Sequence, residues 1–203
     1  MIPRHNIMTE QSGGVSTEAF GRAFQTVLND PGVSAIVLDI DSPGGHVAGT
    51  AELADSIFSA RGRKPVIAVA NSMAASAAYW VASQADELVI SPSGEVGSIG
   101  VLAAHQDVSK AAEQEGVKTT LISAGKKKTL GNPWEPLTDD ARAEIQGHVD
   151  AYYGMFLAGV ARGRGVTSSA VRGGFGEGGM VMAAEAVKLG MADRVATLDQ
   201  TIA

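Results

Sequence analysis

With 203 residues, 45% of them hydrophobic and 25 of them glycine, the chain suits a single α/β domain over residues 1–203 that buries roughly 70% of its unfolded surface. A net charge of −6 argues against a nucleic-acid surface, and the lack of cysteine excludes disulfides and thiolate chemistry. No apolar run reaches the length of a membrane span, and residues 1–6 lack the charged-then-apolar profile of a secretory leader, so a cytoplasmic protein is expected.

Phe20, Phe24, Val27 and Leu28 recur at helical spacing, and Asn29-Asp-Pro-Gly32 terminates that helix. Ala35-Ile-Val-Leu-Asp-Ile40 reads as a strand and runs into Asp41-Ser-Pro-Gly-Gly45, with a helical segment over residues 47–60. Paired glycines at a strand end let the backbone approach a ligand closely, although Ser-Pro-Gly-Gly alone is only a tight turn. A second unit of the same kind follows: Pro65-Val-Ile-Ala-Val-Ala70 is a buried strand and residues 74–85 are an alanine-rich helix. Between them Ser76 sits at a strand-to-helix turn among very small residues. A hydroxyl there can act as a nucleophile, because backbone N–H groups of a first helical turn have no intrahelical acceptor and can hold an oxyanion.

Residues 87–90 and 96–101 read as strands around a Ser-Pro-Ser-Gly turn, and residues 108–115 as a helix. Residues 118–122 are strand-like and lead into Ser123-Ala-Gly-Lys-Lys-Lys-Thr129, whose lysines form a solvated patch unless one amine points into a site. There, burial and cationic neighbours would both favour the neutral amine, which could take a serine proton. The segment Gly131-Asn-Pro-Trp-Glu-Pro136 is too rich in proline and glycine for a helix interior. Thr138 caps a long helix with Asp139 and Asp140 in its first turn and a stripe of Ile145, Val149, Tyr152, Phe156 and Val160 assigned to the core. The loop over residues 173–179 is glycine-rich but lacks the strand-before, helix-after setting of a dinucleotide site.

Four motifs in this order, Asp41-Ser-Pro-Gly-Gly45, Ser72-Met-Ala-Ala-Ser76, Val96-Gly-Ser-Ile-Gly-Val101 and Ser123-Ala-Gly-Lys-Lys-Lys128, resemble the signal peptide peptidase (SppA-type) family of serine proteases. The likeness is nearest to its short phage and prophage branch of minor capsid or head maturation proteases, and it extends from about residue 30 to the segment over residues 184–193. It implies a ClpP/crotonase-like spiral of ββα units with a long C-terminal helix, and a further strand before Ile2-Pro3. It also implies a Ser76–Lys128 dyad, because the family's base lies three residues after a glycine, here Gly125. Backbone N–H groups of Gly45 and Ala77 would form the oxyanion hole, with Gly44 the fallback for the first. Many relatives carry Gly-Gly where this chain has Ala77-Ala78, which keeps the donor and narrows the space beside it.

The resemblance therefore implies a serine endopeptidase acting through an acyl-enzyme, with no metal or organic cofactor, on a protein or peptide substrate, and the small residues around Ser76 point to a pocket for small or apolar side chains. It further implies a capsid- or scaffold-processing enzyme assembled as a homo-oligomeric ring or dome; charge and hydropathy add the expectations of no nucleic-acid partner and no membrane span, and the latter favours the soluble phage-type branch. Three alternatives stand beside it: a Clp-like Ser-His protease using His105, an enoyl-CoA hydratase-like enzyme, and a catalytically silent capsid protein. Of the other histidines, His5 is terminal, His46 adjoins the Gly-Gly turn and His148 lies on the long helix.

Overall fold

The computed structural model describes Met1 and residues 14–203, so the expectations for His5 and for a strand before Ile2-Pro3 fall outside the described residues. In chain order these form α1 (Thr17–Asn29), β1 (Ile36–Ser42), α2 (Thr50–Phe58), β2 (Val66–Ala75), α3 (Ala77–Ala82), β3 (Glu87–Ile90) and β4 (Glu95–Gly97). There follow α4 (Ser109–Gln114), α5 (Asp139–Arg164), α6 (Ser168–Gly174), β5 (Met180–Met182), α7 (Ala183–Lys188), β6 (Arg194–Val195) and α8 (Leu198–Ile202). Two compact units result, Met1–Gly100 with Met155–Ala203, and Val101–Gly154.

The first unit holds the sheet, which is parallel except where β5 runs antiparallel to β4. β2 organises it. One edge of β2 pairs with β1, while the other pairs first with β3, over Ile67 to Ala70, and then with β4, over Met73 to Ala75. The β-branched and alanine run of β2 suits this central place: Val66, Ala68, Val69 and Ala70 are fully buried, as are Leu88, Val89 and Ile90 on β3. Strands alternating with helices in a largely parallel sheet are the α/β architecture expected from the sequence.

Several boundaries differ from expectation. β2 continues through Asn71 to Ala75, so the helix after it is only Ala77–Ala82, because Met73 to Ala75 find ladder partners on β4 that no local propensity reveals. The strand expected over residues 96–101 stops at Gly97. The run at residues 118–122 joins no strand, and the stripe on α5 divides: Phe156 and Val160 are buried, whereas Tyr152 is exposed.

Within the first unit, α5 approaches α3 through two glycines one turn apart. A Cβ on Gly159 would lie 2.1 Å from Trp80 Nε1, and one on Gly163 2.2 Å from the Ser83 carbonyl oxygen. The closeness lets Trp80 stack on Phe156 with centroids 4.8 Å apart and planes 9° from parallel. α5 ends in Arg164, whose guanidinium is 8% exposed and grips Asp193 with two hydrogen bonds of 2.9 and 2.7 Å. Asp193 also accepts from the Leu88 amide at 2.7 Å, tying β3 to the approach to β6.

Burial alone would raise the Asp193 pKa, but the hydrogen bonds from Arg164 and the Leu88 amide, with the Arg164 and Arg61 charges, hold its carboxyl below the ordinary range. Its folded pKa lies below the unfolded one, so its stabilisation is present above the ordinary carboxylate pKa and lost as pH falls through the folded value. Asp193→Ala is expected to cost about 2 kcal/mol in urea unfolding at neutral pH, a buried-pair figure discounted for partial exposure. Its acid limb should be flatter than that of the wild type.

Candidate active site

Register delivers the first half of the site. Ser42 pairs with Ala74 after an irregularity in the β1 ladder beyond Ile40, so two residues further along each strand Gly44 comes to lie against Ser76. A Cβ on Gly44 would sit 2.7 Å from Ser76 Cβ, 2.9 Å from the Ala75 carbonyl oxygen and 3.2 Å from the Ala77 nitrogen. Gly44 also has φ +111°, so both space and backbone conformation call for glycine there. Gly44→Ala is expected to destabilise the protein by about 2 kcal/mol through overpacking, and to lower any Ser76-dependent activity at least tenfold. Thermal melts alongside turnover would measure both.

Ser76 lies between β2 and α3 with φ 51° and ψ −123°, close to the first central position of a type II′ turn, which glycine dominates. A serine held there costs of order 1 to 3 kcal/mol, and the surroundings must enforce it. They do so on both sides: the Ser76 amide donates to the Gly97 carbonyl at 2.8 Å, and its carbonyl accepts from the Trp80 amide at 3.0 Å. The half-buried side chain makes no capping hydrogen bond to α3. The anchor at Gly97 belongs to the Val96-Gly-Ser-Ile-Gly-Val101 motif, whose role the sequence alone did not disclose.

Two backbone donors near this serine have no acceptor among the described residues. Ala77 opens α3, so its N–H has no intrahelical acceptor, and Gly45 N–H has no partner among the described residues. The Gly44 amide, by contrast, donates to Ser42 Oγ at 3.2 Å, which favours Gly45 over the fallback. On the same turn the Met1 backbone is held like a paired strand residue: its nitrogen donates to the Gly44 carbonyl at 2.5 Å and its carbonyl accepts from the His46 amide at 3.0 Å. Beside the end of β1 opens a small, mostly apolar pocket whose lining includes Met1, Phe20, Ile40, Ala78 and Val81, with Asp39 and Asp41 also on its wall. Phe20 was legible as a helix residue, but nothing in the sequence linked it to this pocket.

Lys128 and His105 belong to the second unit. Lys126, Lys127 and Lys128 all have exposed side chains, on a turn where the Lys128 amide donates to the Gly125 carbonyl at 3.1 Å. Lys127 is engaged with Glu144 at 2.5 Å, and that hydrogen bond with the lysine charge holds the Glu144 carboxyl below its ordinary pKa. Neither Lys126 nor Lys128 has an ion pair among the described residues. His105 Nε2 lies 3.0 Å from the Asn132 carbonyl, which can only accept, so that nitrogen carries the proton. Among the described residues no group of histidine, aspartate and glutamate is arranged to hold a metal ion, and no helix is long and apolar enough to cross a membrane.

A family model described as Peptidase family S49 matches residues 59–203. The chain is 36% identical over 195 residues to the capsid assembly protease C of Escherichia phage lambda, an alignment covering 96% of this chain and 44% of the relative. It is 33% identical over 202 residues to the head-tail preconnector protein GP5 of Enterobacteria phage P21, covering 100% of this chain and 40% of the relative. The chain thus spans less than half the length of these two curated relatives. A ClpP1 mutant from Listeria monocytogenes shares the fold, with a TM-score of 0.56 at 13% identity over 92% of this chain and 87% of that one. The ClpP-like α/β fold and the kinship read from the four motifs are therefore both borne out.

Proposed function

This chain belongs to peptidase family S49, and we propose that it is a serine endopeptidase whose nucleophile is Ser76. In this reading Ser76 Oγ attacks a peptide carbonyl while its proton passes to the neutral amine of Lys128, and Gly45 and Ala77 N–H hold the tetrahedral oxyanion. Collapse breaks the C–N bond, Lys128 returns the proton to the leaving amine, and a water activated by the same amine hydrolyses the acyl-enzyme. The steps as written use no metal or organic cofactor.

The observation that carries the reading is the meeting of the Gly-Gly turn with the strained serine, beside two N–H groups that have no partner among the described residues. The apolar pocket next to Ala78 suits a small or apolar substrate side chain. The Gly44 carbonyl and His46 amide, which already hold one backbone residue in strand fashion, could pair with an extended substrate. Likeness to a capsid assembly protease supports processing of capsid or scaffold protein in a bacterial cytoplasm by a homo-oligomer of this chain. Fluorophosphonate labelling with peptide mapping tests the assignment: a single adduct on Ser76, with casein cleavage lost in Ser76→Ala, is expected. Wild type inert in both assays would defeat it in favour of a silent capsid protein.

A further inference from the structure

The turn that carries the Gly45 N–H is poorly constrained by its own sequence, since two consecutive glycines leave the backbone free to rotate. A half-turn of the Gly44–Gly45 peptide would put a carbonyl where the N–H now points. The fold pins both flanks of this peptide with hydroxyls. Upstream, Ser42 Oγ accepts from the Gly44 amide at 3.2 Å; downstream, Thr50 Oγ1 donates to the His46 carbonyl at 2.8 Å. The downstream bond stands in for a missing backbone one. α2 begins only at Thr50, the Thr50 and Leu53 amides go to the Val47 and Gly49 carbonyls, and no backbone amide among the described residues reaches the His46 carbonyl. Thr50 is fully buried, whereas Gly45 and His46 are exposed, so a hydroxyl fixed in the interior holds a turn that faces solvent.

We propose that Thr50 is a positioning residue of the oxyanion hole: its hydroxyl, by holding the His46 carbonyl, keeps the Gly45 N–H aimed beside Ser76. This role rests on the hydrolase reading. The bond lands one residue past the donor, so a slackened His46 would pass its freedom straight to Gly45. An oxyanion donor is most effective when it is already in place as charge develops, and it does far less for the neutral carbonyl of bound substrate. Loss of the hydroxyl should therefore lower kcat and leave KM nearly unchanged. A purely structural Thr50 predicts the reverse dependence on the side chain: its methyl, which valine shares, would matter for activity and its hydroxyl would not.

Thr50→Val keeps the shape and removes the hydroxyl, whereas Thr50→Ser keeps the hydroxyl and removes the methyl. In peptide hydrolysis by the full chain, Thr50→Val should lower kcat about tenfold or more with KM within about twofold, since the donor it loosens is itself worth roughly 10² to 10³ in rate. Thr50→Ser should stay within about threefold of wild-type kcat. A peptide aldehyde, which forms a hemiacetal oxyanion on Ser76, should bind about tenfold more weakly to Thr50→Val, while the matching peptide alcohol binds as it does to wild type. Wild-type kcat in Thr50→Val, or equal loss of aldehyde and alcohol binding, would overturn the role. So would a Thr50→Ser that turns over at less than a tenth of the wild-type rate, whether or not the valine variant folds. Fluorophosphonate labelling keeps the two readings apart: a labelled Ser76 with an indifferent Thr50→Val rejects only the positioning role, and an inert wild type rejects both.

Discussion

Ser76→Ala is expected to lower kcat by about 10⁶, leaving only the residual rate that binding and oxyanion donors give without a nucleophile. Alanine keeps the same strained backbone, so its unfolding midpoint should stay near wild type. Ser76→Gly should be equally inactive but more stable, by about 1 kcal/mol, because glycine adopts φ 51° and ψ −123° without a Cβ clash. Urea unfolding with unchanged slope would read the gain, and active-site titration the loss. Retention of more than a hundredth of wild-type turnover in either variant would remove Ser76 from the mechanism. A glycine variant less stable than the alanine one would remove the strain argument.

Lys128→Met should reduce kcat/KM by about 10² to 10⁴, the usual worth of a positioned base, while Lys126→Met and Lys127→Met stay within a fewfold of wild type. The pH profile separates a base from a structural lysine. A lysine base works only when neutral, so the wild-type rate should rise with pH, and that rise should vanish in Lys128→Met. Lys127 is already committed to Glu144, which makes its variant the informative control for simple loss of charge. If Lys128→Met keeps the rise while His105→Gln loses it, the base is the histidine.

What the sequence disclosed and what it hid divide along physical lines. Apolar runs and terminators are local, and they placed β1, the end of α1 at Asn29 and the cap of α5 at Thr138, whose hydroxyl accepts from the Ala141 amide at 3.2 Å. The Gly-Gly turn and Ser76 were each legible as turns; their contact was not, because it depends on pairing Ser42 with Ala74 across the sheet. The same non-local effect turned Ala74 and Ala75, read as helix, into strand. The run at residues 118–122 shows the converse, a strand pattern for which the other described residues offer no ladder. Nothing in the sequence singled out Gly159 and Gly163, whose value appears only beside Trp80 and Ser83. The Arg164–Asp193 grip joins residues far apart in the chain, which no spacing rule could anticipate.

The change of partner along β2 carries a mechanical implication. Its lower half is clamped between β1 and β3, whereas the half leading to Ser76 keeps the single β1 pairing of Ser42 with Ala74 and the three-residue β4, with exposed Asn71 and Ser72 at the junction. Amide exchange should therefore be slow for Ala68 to Ala70 and measurably faster for Met73 to Ala75. The nucleophile rides on a tether that can yield without loosening the anchor below it.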